Sequence, residues 1–416
     1  MKLRNATVAG LAAVLLAAGT WALWRTGPGE HPEIPRPAGP MVQLLTPRSF
    51  AVVWALEGVG PAVLRLLPSA ELDGRTVTMD PRDGRYVARL DDLLPGRAYS
   101  YEVCGREART DEPVRFAGSV RTPREDCRSF RFEVLGDSGG GGGAQLRVEW
   151  CMRHHQPDLI LHTGDVVYET GARESYPSRF FRPYQQLMAG VPFYPVLGNH
   201  DVMTDDGEPL LQTFLLPENG PEGVGPERCY WFDHCDARFV GVDSNLEEGV
   251  MFSRVAPWLE ETLSQATTTW RFVYFHHAIY TNARNAADQK LLAYLVPALE
   301  RGGADIVFAG HNHLYERSHP LRGGQIVPAD QGVVYVTTGA GGSSVYAERL
   351  PPPDFLAAFY DDDFSFTVVD VDGPRLALRQ INSDNEVVDE WVREKRPSPD
   401  GRPDGPSRAS ADVYSG

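Results

Sequence analysis

The sequence predicts an α/β domain preceded by a small all-β sandwich, and three observations carry this reading. From Phe130 onward, runs of consecutive apolar residues alternate with helix-length segments, the pattern of buried strands crossed by helices. Between Met41 and Thr122 the runs are shorter, and Pro, Gly and Asp cut them without any helical period. In the second region, five apolar runs end in polar residues of one chemical kind.

The first residues read as an export segment. Lys2 and Arg4 precede an apolar run from Ala6 to Trp24, and Arg25 opens a Gly/Pro-rich stretch. The run is about as long as the roughly 20 residues that cross a bilayer. Thr20-Trp21-Ala22 is a poor small-x-small cleavage site, and Thr20 stands where a lipoprotein signal needs Cys. Residues 1–30 are therefore assigned as a signal peptide or an uncleaved N-terminal membrane anchor, and 31–40 as a linker. The expected location is outside the cytoplasm: secreted, periplasmic, or held on the outer face of a bacterial cytoplasmic membrane. Five cysteines leave at least one thiol unpaired, and no C-x-x-C pair indicates a zinc ribbon or a thioredoxin-like site.

A net charge of -16 excludes non-specific nucleic-acid binding, which needs a basic surface to displace counterions. It leaves room for a small phosphorylated substrate, because bound metal ions reverse the local sign of a site.

Residues 41–123 form the expected sandwich, with strands at Phe50–Trp54, Ala62–Leu66, Tyr86–Leu90 and Tyr99–Val103. The stretch Leu93-Leu94-Pro95-Gly96-Arg97-Ala98-Tyr99 resembles the Leu-Pro-x-x-x-Tyr corner of fibronectin type III domains. Residues 128–395 form the expected catalytic domain. Its strands fall at Phe130–Leu135, Leu159–Leu161, Phe193–Leu197, Arg238–Val242, Arg271–Phe275, Asp305–Ala309 and Val333–Thr337. Helices are expected at 144–155, 177–189, 256–265 and 288–301, and two strands after Phe366 close the domain. Residues 396–416 are rich in Pro, Ser and Asp and read as a disordered tail.

The chemistry lies where the apolar runs stop. They lead into Gly136-Asp137-Ser138-Gly139, Gly164-Asp165-Val166-Val167-Tyr168, Gly198-Asn199-His200-Asp201, His276-His277, and Gly310-His311-Asn312-His313. α/β sheets gather ligands at the carboxyl ends of their strands, so these ends can converge on one site. They bring oxygen and imidazole donors without thiolates, the set that suits divalent and trivalent metals. A single Gly-Asp after a strand is usually only a turn, and a His-x-His on its own is often a surface pair. Five such ends in this order are not accounted for that way.

These blocks, with Leu314-Tyr315-Glu316-Arg317 after the last, resemble those of the purple acid phosphatases, a branch of the calcineurin-like metallophosphoesterases. The resemblance spans roughly residues 40 to 390. It implies a four-layer α+β sandwich of mixed sheets with flanking helices behind a fibronectin-like domain. It also implies two metal ions, Fe(III) plus Fe, Zn or Mn. Asp137, Asp165, Tyr168 and His313 would hold the first, and Asp165, Asn199, His276 and His311 the second. Tyr168 is what distinguishes the purple branch. The implied function is hydrolysis of phosphate monoesters by attack of a metal-bound hydroxide. His200 would act at the leaving group and Asp201 would orient it.

The resemblance departs after Tyr280, where family members often carry a further substrate-facing histidine. Here Asn285 falls near that place, and Arg284 offers a positive contact to phosphate. Among the remaining histidines, His277 is expected beside the metal ligands and His162 in the core. His154, His155, His234 and His319 are expected in loops or at the surface. Gly139 to Gly143 lack the Lys-Ser/Thr of a P-loop and read as a mobile rim. Two other functions compete: a phosphodiesterase on the same two-metal site, and an inactive surface protein that binds through its sandwich.

Overall fold

The computed structural model describes residues 39–54, 60–69, 73–82, 85–106, 111–346 and 351–395. The expected export segment, most of the linker and the expected tail lie outside the described residues. No helix among the described residues is long and apolar enough to cross a membrane.

The N-terminal region is all β, with two four-stranded antiparallel sheets. One contains Met41–Gln43, Phe50–Trp54, Arg85–Leu90 and Pro81–Arg82; the other contains Arg75–Met79, Ala62–Leu66, Ala98–Arg106 and Pro113–Arg121. Tyr99, Tyr101 and Val103 alternate inward along their strand, and Phe50, Trp54 and Tyr86 fill the space opposite. The Leu94 N–H donates to the Tyr99 hydroxyl over 2.7 Å, fixing the corner that enters this strand.

This region is bonded to the rest of the chain. The Tyr101 hydroxyl donates to the Ala189 carbonyl (2.7 Å), and Gly118 must lack a side chain because a Cβ there would meet the same oxygen at 2.6 Å. The Gln43 amide donates to the Phe193 carbonyl and accepts from the Leu215 N–H, at 2.8 and 3.0 Å. A disulfide between Cys127 and Cys235 adds a covalent tie across 108 residues.

Two mixed sheets follow. The six-stranded one runs, in spatial order, Phe193–Pro195, Leu159–His162, Ser129–Leu135, Ser365–Asp372, Arg375–Asn382 and Val387–Glu394, with the first three parallel. The seven-stranded one runs Tyr230–His234, Ala237–Gly241, Trp270–Tyr274, Ile306–Ala309, Val334–Thr338, Tyr315–Ser318 and Leu356–Tyr360. Its second to fifth strands are parallel. The sheets meet through aromatic rings. Phe132 of the first touches Phe239 and Phe272 of the second at centroid spacings of 5.1 and 4.9 Å. Removing so buried a ring costs about 3–5 kcal/mol.

Helices form at Gly143–His155, Arg182–Met188, Ala256–Ser264 and Gln289–Gly302, close to their expected places. The last has both terminal signals: Asp288 accepts the Leu291 N–H at 3.0 Å, and Gly303 closes it in the left-handed region. The short helix Glu208–Thr213 and the strand Tyr230–His234 were not foreseen. His234 ends that strand, buried against Phe130 at 5.3 Å, which corrects its expected surface position.

Candidate metal centre

The five polar strand ends come from both sheets and meet at one rim. Ser129–Leu135, Leu159–His162 and Phe193–Pro195 lead to Asp137, Asp165 and Asn199; Trp270–Tyr274 and Ile306–Ala309 lead to His276 and His311. All four of the block glycines are crowded. A Cβ at Gly198 would stand 2.1 Å from Asp165 Oδ1, and one at Gly310 would stand 2.5 Å from Asp137 Oδ2. Asp137, Asp165 and His311 adopt left-handed backbone angles (φ 55°, 54° and 67°), uncommon outside glycine and tolerated best by Asp, Asn and His. These turns aim the side chains inward where the strands stop.

All seven predicted ligands come together. Ligand atoms of Asp137, Asp165 and His276 lie within 4.8 Å of one another, all three buried. The Tyr168 oxygen stands 3.2 Å from Asp137 Oδ1, 3.0 Å from Asp165 Oδ2 and 3.0 Å from His313 Nε2. On the other side, Asn199 Oδ1 stands 2.8 Å from both His276 Nε2 and His311 Nδ1, which are 3.2 Å apart. His276 Nδ1 lies 2.9 Å from the Thr163 carbonyl; donating there leaves the Nε2 lone pair facing the centre. His313 is held by Ser344, whose oxygen lies 2.6 Å from Nδ1.

The electrostatics match the geometry. Burial, then the charges of Asp137 and Asp165, push the Tyr168 phenol far above its ordinary range. Without a cation that side chain stays neutral. Burial works against the charge on Asp137, but His313, His276 and His311 outweigh it and hold its carboxyl low. Burial pushes His311 down to about 4, so its ring is neutral and able to coordinate near pH 7.

The donors fit a pair of metal ions. A phenol has one proton, yet Tyr168 faces two carboxylate oxygens and an imidazole nitrogen, and the amide oxygen of Asn199 faces two imidazole nitrogens. A cation in each cluster satisfies these lone pairs together. Hard oxygens with imidazoles and no thiolate suit iron, zinc and manganese.

His200 sits beside this centre. Its Nδ1 lies 2.6 Å from the Glu169 carbonyl, its Nε2 lies 3.9 Å from Asp165 Oδ2, and its side chain is 31% exposed. Asp201 does not orient it, which corrects the expectation. The buried Asp201 carboxylate turns the other way and accepts the Val166 and Gly198 N–H groups, at 3.1 and 2.9 Å. Asn285 is also committed elsewhere: its amide donates to the His311 carbonyl at 3.1 Å. Arg284 is exposed, with its guanidinium 5.5 Å from the Tyr346 ring centre.

The bland readings hold for two histidines. His162 is buried with Nε2 2.8 Å from Ser138 Oγ. His277 lies against His311 at 4.8 Å and bonds Ser244, and burial with the nearby His276 pushes it down to about 2. Gly139 is a close-packing position, since a Cβ there would stand 2.2 Å from the Val166 carbonyl.

Sequence reasoning missed a sixth strand end. Val334–Thr338 leads into Gly339-Ala-Gly-Gly-Ser-Ser344, which packs on Asp137 and supplies Ser344 and Tyr346 to the centre. The Tyr346 ring stacks on His313 at 4.3 Å and 9°. Its signal was the same glycine punctuation after a strand.

Fold and site together define a metallophosphoesterase: residues 130–315 match the calcineurin-like phosphoesterase family. Residues 332–390 match the iron/zinc purple acid phosphatase-like protein C family. Both matches and the relatives below make the chain similar to the purple acid phosphatase-like metallophosphoesterases. It is 25% identical to purple acid phosphatase 23 of Arabidopsis thaliana over 374 residues, covering 78% of this chain and 76% of that protein. It is 37% identical to purple acid phosphatase 18 of the same plant over 224 residues, covering 51% and 49%. The chain thus spans only about half of some of its curated relatives. A further similar protein, probable inactive purple acid phosphatase 9, is 24% identical over 282 residues, covering 56% and 42%. Among solved structures, purple acid phosphatase PPD1 from yellow lupin seeds shares the fold with a TM-score of 0.70 at 18% identity, covering 85% of this chain and 74% of that one. PhoD does so with 0.63 at 12%, covering 88% and 90%.

Proposed function

We propose that this chain is an exported dinuclear-metal phosphatase that hydrolyses phosphate monoesters. The observation that carries the reading is the Tyr168 hydroxyl, whose oxygen faces the Asp137 and Asp165 carboxylates and His313 Nε2 across a buried centre. Asp137, Asp165, Tyr168 and His313 would hold Fe(III), and Asp165, Asn199, His276 and His311 would hold Fe, Zn or Mn. Such a pair supplies Lewis acidity and a water acidic enough to serve as nucleophile.

The protein's own part lies with His200. With Nδ1 donating to the Glu169 carbonyl, the imidazolium would carry its second proton at Nε2, the nitrogen 3.9 Å from Asp165 Oδ2. That proton can pass to the departing alcohol oxygen, which takes over the role of the histidine absent after Tyr280. Asp201 acts instead on the ligand loops, accepting the Gly198 N–H of the Asn199 loop and the Val166 N–H of the Asp165 loop.

Export is supported by the charged-then-apolar segment Lys2 to Trp24, and the Cys127–Cys235 disulfide suits an oxidising compartment. The N-terminal sandwich is read as fibronectin type III-like on the Leu94–Tyr99 corner.

Hydrolysis of p-nitrophenyl phosphate and of its bis-ester, before and after chelation, tests the reading. Chelation should abolish turnover, iron with zinc or manganese should restore it, and the monoester should be the faster substrate. Turnover indifferent to chelation, or faster on the diester, would count against it.

A further inference from the structure

Arg284 stands beside the aromatic ring that stacks on the ligand His313. Arg284 is exposed, and no carboxylate among the described residues lies within ion-pair distance of it, in a chain of net charge -16. The loop that carries it is pinned at several points. Thr281 Oγ1 and the Asn282 N–H donate to the Glu316 carboxylate at 2.6 and 2.7 Å. The Asn285 N–H donates to Asn312 Oδ1, and the Asn285 amide to the His311 carbonyl, both over 3.1 Å.

Tyr346 connects this cation to the metal ligands. Its N–H donates to the His313 carbonyl at 2.9 Å, and its ring stacks on His313 at 4.3 Å. The Arg284 guanidinium lies 5.5 Å from the centre of the same ring. An exposed arginine normally loses rotamer freedom when it grips a ligand, and an aromatic support lowers that cost.

We propose that Arg284, carried on Tyr346, is a subsite for a second phosphate on the leaving group. The preferred substrates are then phosphate compounds whose departing part is itself phosphorylated, as in a nucleoside diphosphate. This rests on the phosphatase reading above. The Tyr346 ring lies against both His313 and the guanidinium, so the positive charge stands one ring away from a predicted metal ligand. A guanidinium binds phosphate through paired N–H groups, which a neutral leaving group cannot use.

The test uses the metal-loaded full chain with ADP, which releases AMP, and AMP, which releases neutral adenosine. The wild type should favour ADP in kcat/KM. Arg284→Ala should lower the ADP-to-AMP ratio by about tenfold. Tyr346→Ala should lower it in the same direction, Arg284→Lys should retain part of it, and added salt should shrink it. A ratio unchanged in Arg284→Ala overturns the subsite. If neither nucleotide is hydrolysed, p-nitrophenyl phosphate turnover decides the phosphatase reading, and calorimetric binding of ADP and AMP to the same proteins decides the subsite alone. Selective weakening of ADP by Arg284→Ala then supports it, and equal affinities overturn it.

Discussion

The carboxylate of Asp201 accepts the N–H of Gly198 at 2.9 Å, and its second bond, to Val166, ties the Asp165 loop to the Asn199 loop. One buried side chain thereby sets the spacing of two ligand loops. Burial, then the nearby charge of Asp165, push its carboxyl well above the usual range, so its bonds to backbone N–H groups hold it in place at a cost.

Asp201→Ala should therefore loosen the centre without touching a ligand. Two buried N–H groups lose their acceptor, each worth about 1–3 kcal/mol. Thermal unfolding should shift down, and metal should dissociate at a lower chelator concentration than in the wild type. A variant with wild-type melting and metal retention would show that the loops hold themselves.

His200→Ala should behave differently. The imidazole reaches no farther inward than 3.9 Å from Asp165 Oδ2, so metal content should stay at the wild-type level. Turnover should fall by about 10²-fold or more, and less for esters with good leaving groups. Stopped assays with phenyl and p-nitrophenyl phosphate read this difference, and an equal loss on both would remove the proton-donor role.

Away from the centre, Glu149 makes stability depend on pH. Burial pushes its carboxyl up to about 7, although Arg153, bonded at 3.2 Å, opposes this; Glu133 nearby is raised as well. A carboxyl that is raised on folding prefers its protonated form in the native state. Its cost is absent below the unfolded value near 4.5 and accrues as pH rises toward 7. The change amounts to roughly 3 kcal/mol at most. Melting temperatures across that window should fall for the wild type and fall less for Glu149→Gln; parallel curves would contradict the assignment.

Much of the centre was legible because each ligand stands within a few residues of a strand end that the apolar run announces. Asp137, Asp165, Asn199, His276 and His311 needed only the local pattern. The direction of the Asp201 side chain was not legible, since adjacency in the chain suggested His200 while the fold brings Val166 closer. Tyr346 was missed because it reaches His313 from a coil 33 residues on, through a packing that no periodicity records. His234 was misplaced because the strand Tyr230–His234 is short and ends in two polar residues, and the Phe130 ring that packs on it comes from another sheet. The partner of Cys127, 108 residues away, belongs to the same kind of long-range fact.

The central claim is that these seven residues hold two metal ions with Tyr168 bound to iron. Metal quantitation of the purified protein, with its visible spectrum, tests this most directly. About two ions per chain and a visible phenolate–iron band are predicted, with the band lost in Tyr168→Phe while the second metal remains. Protein that hydrolyses phosphate esters at full rate without stoichiometric metal would contradict the account.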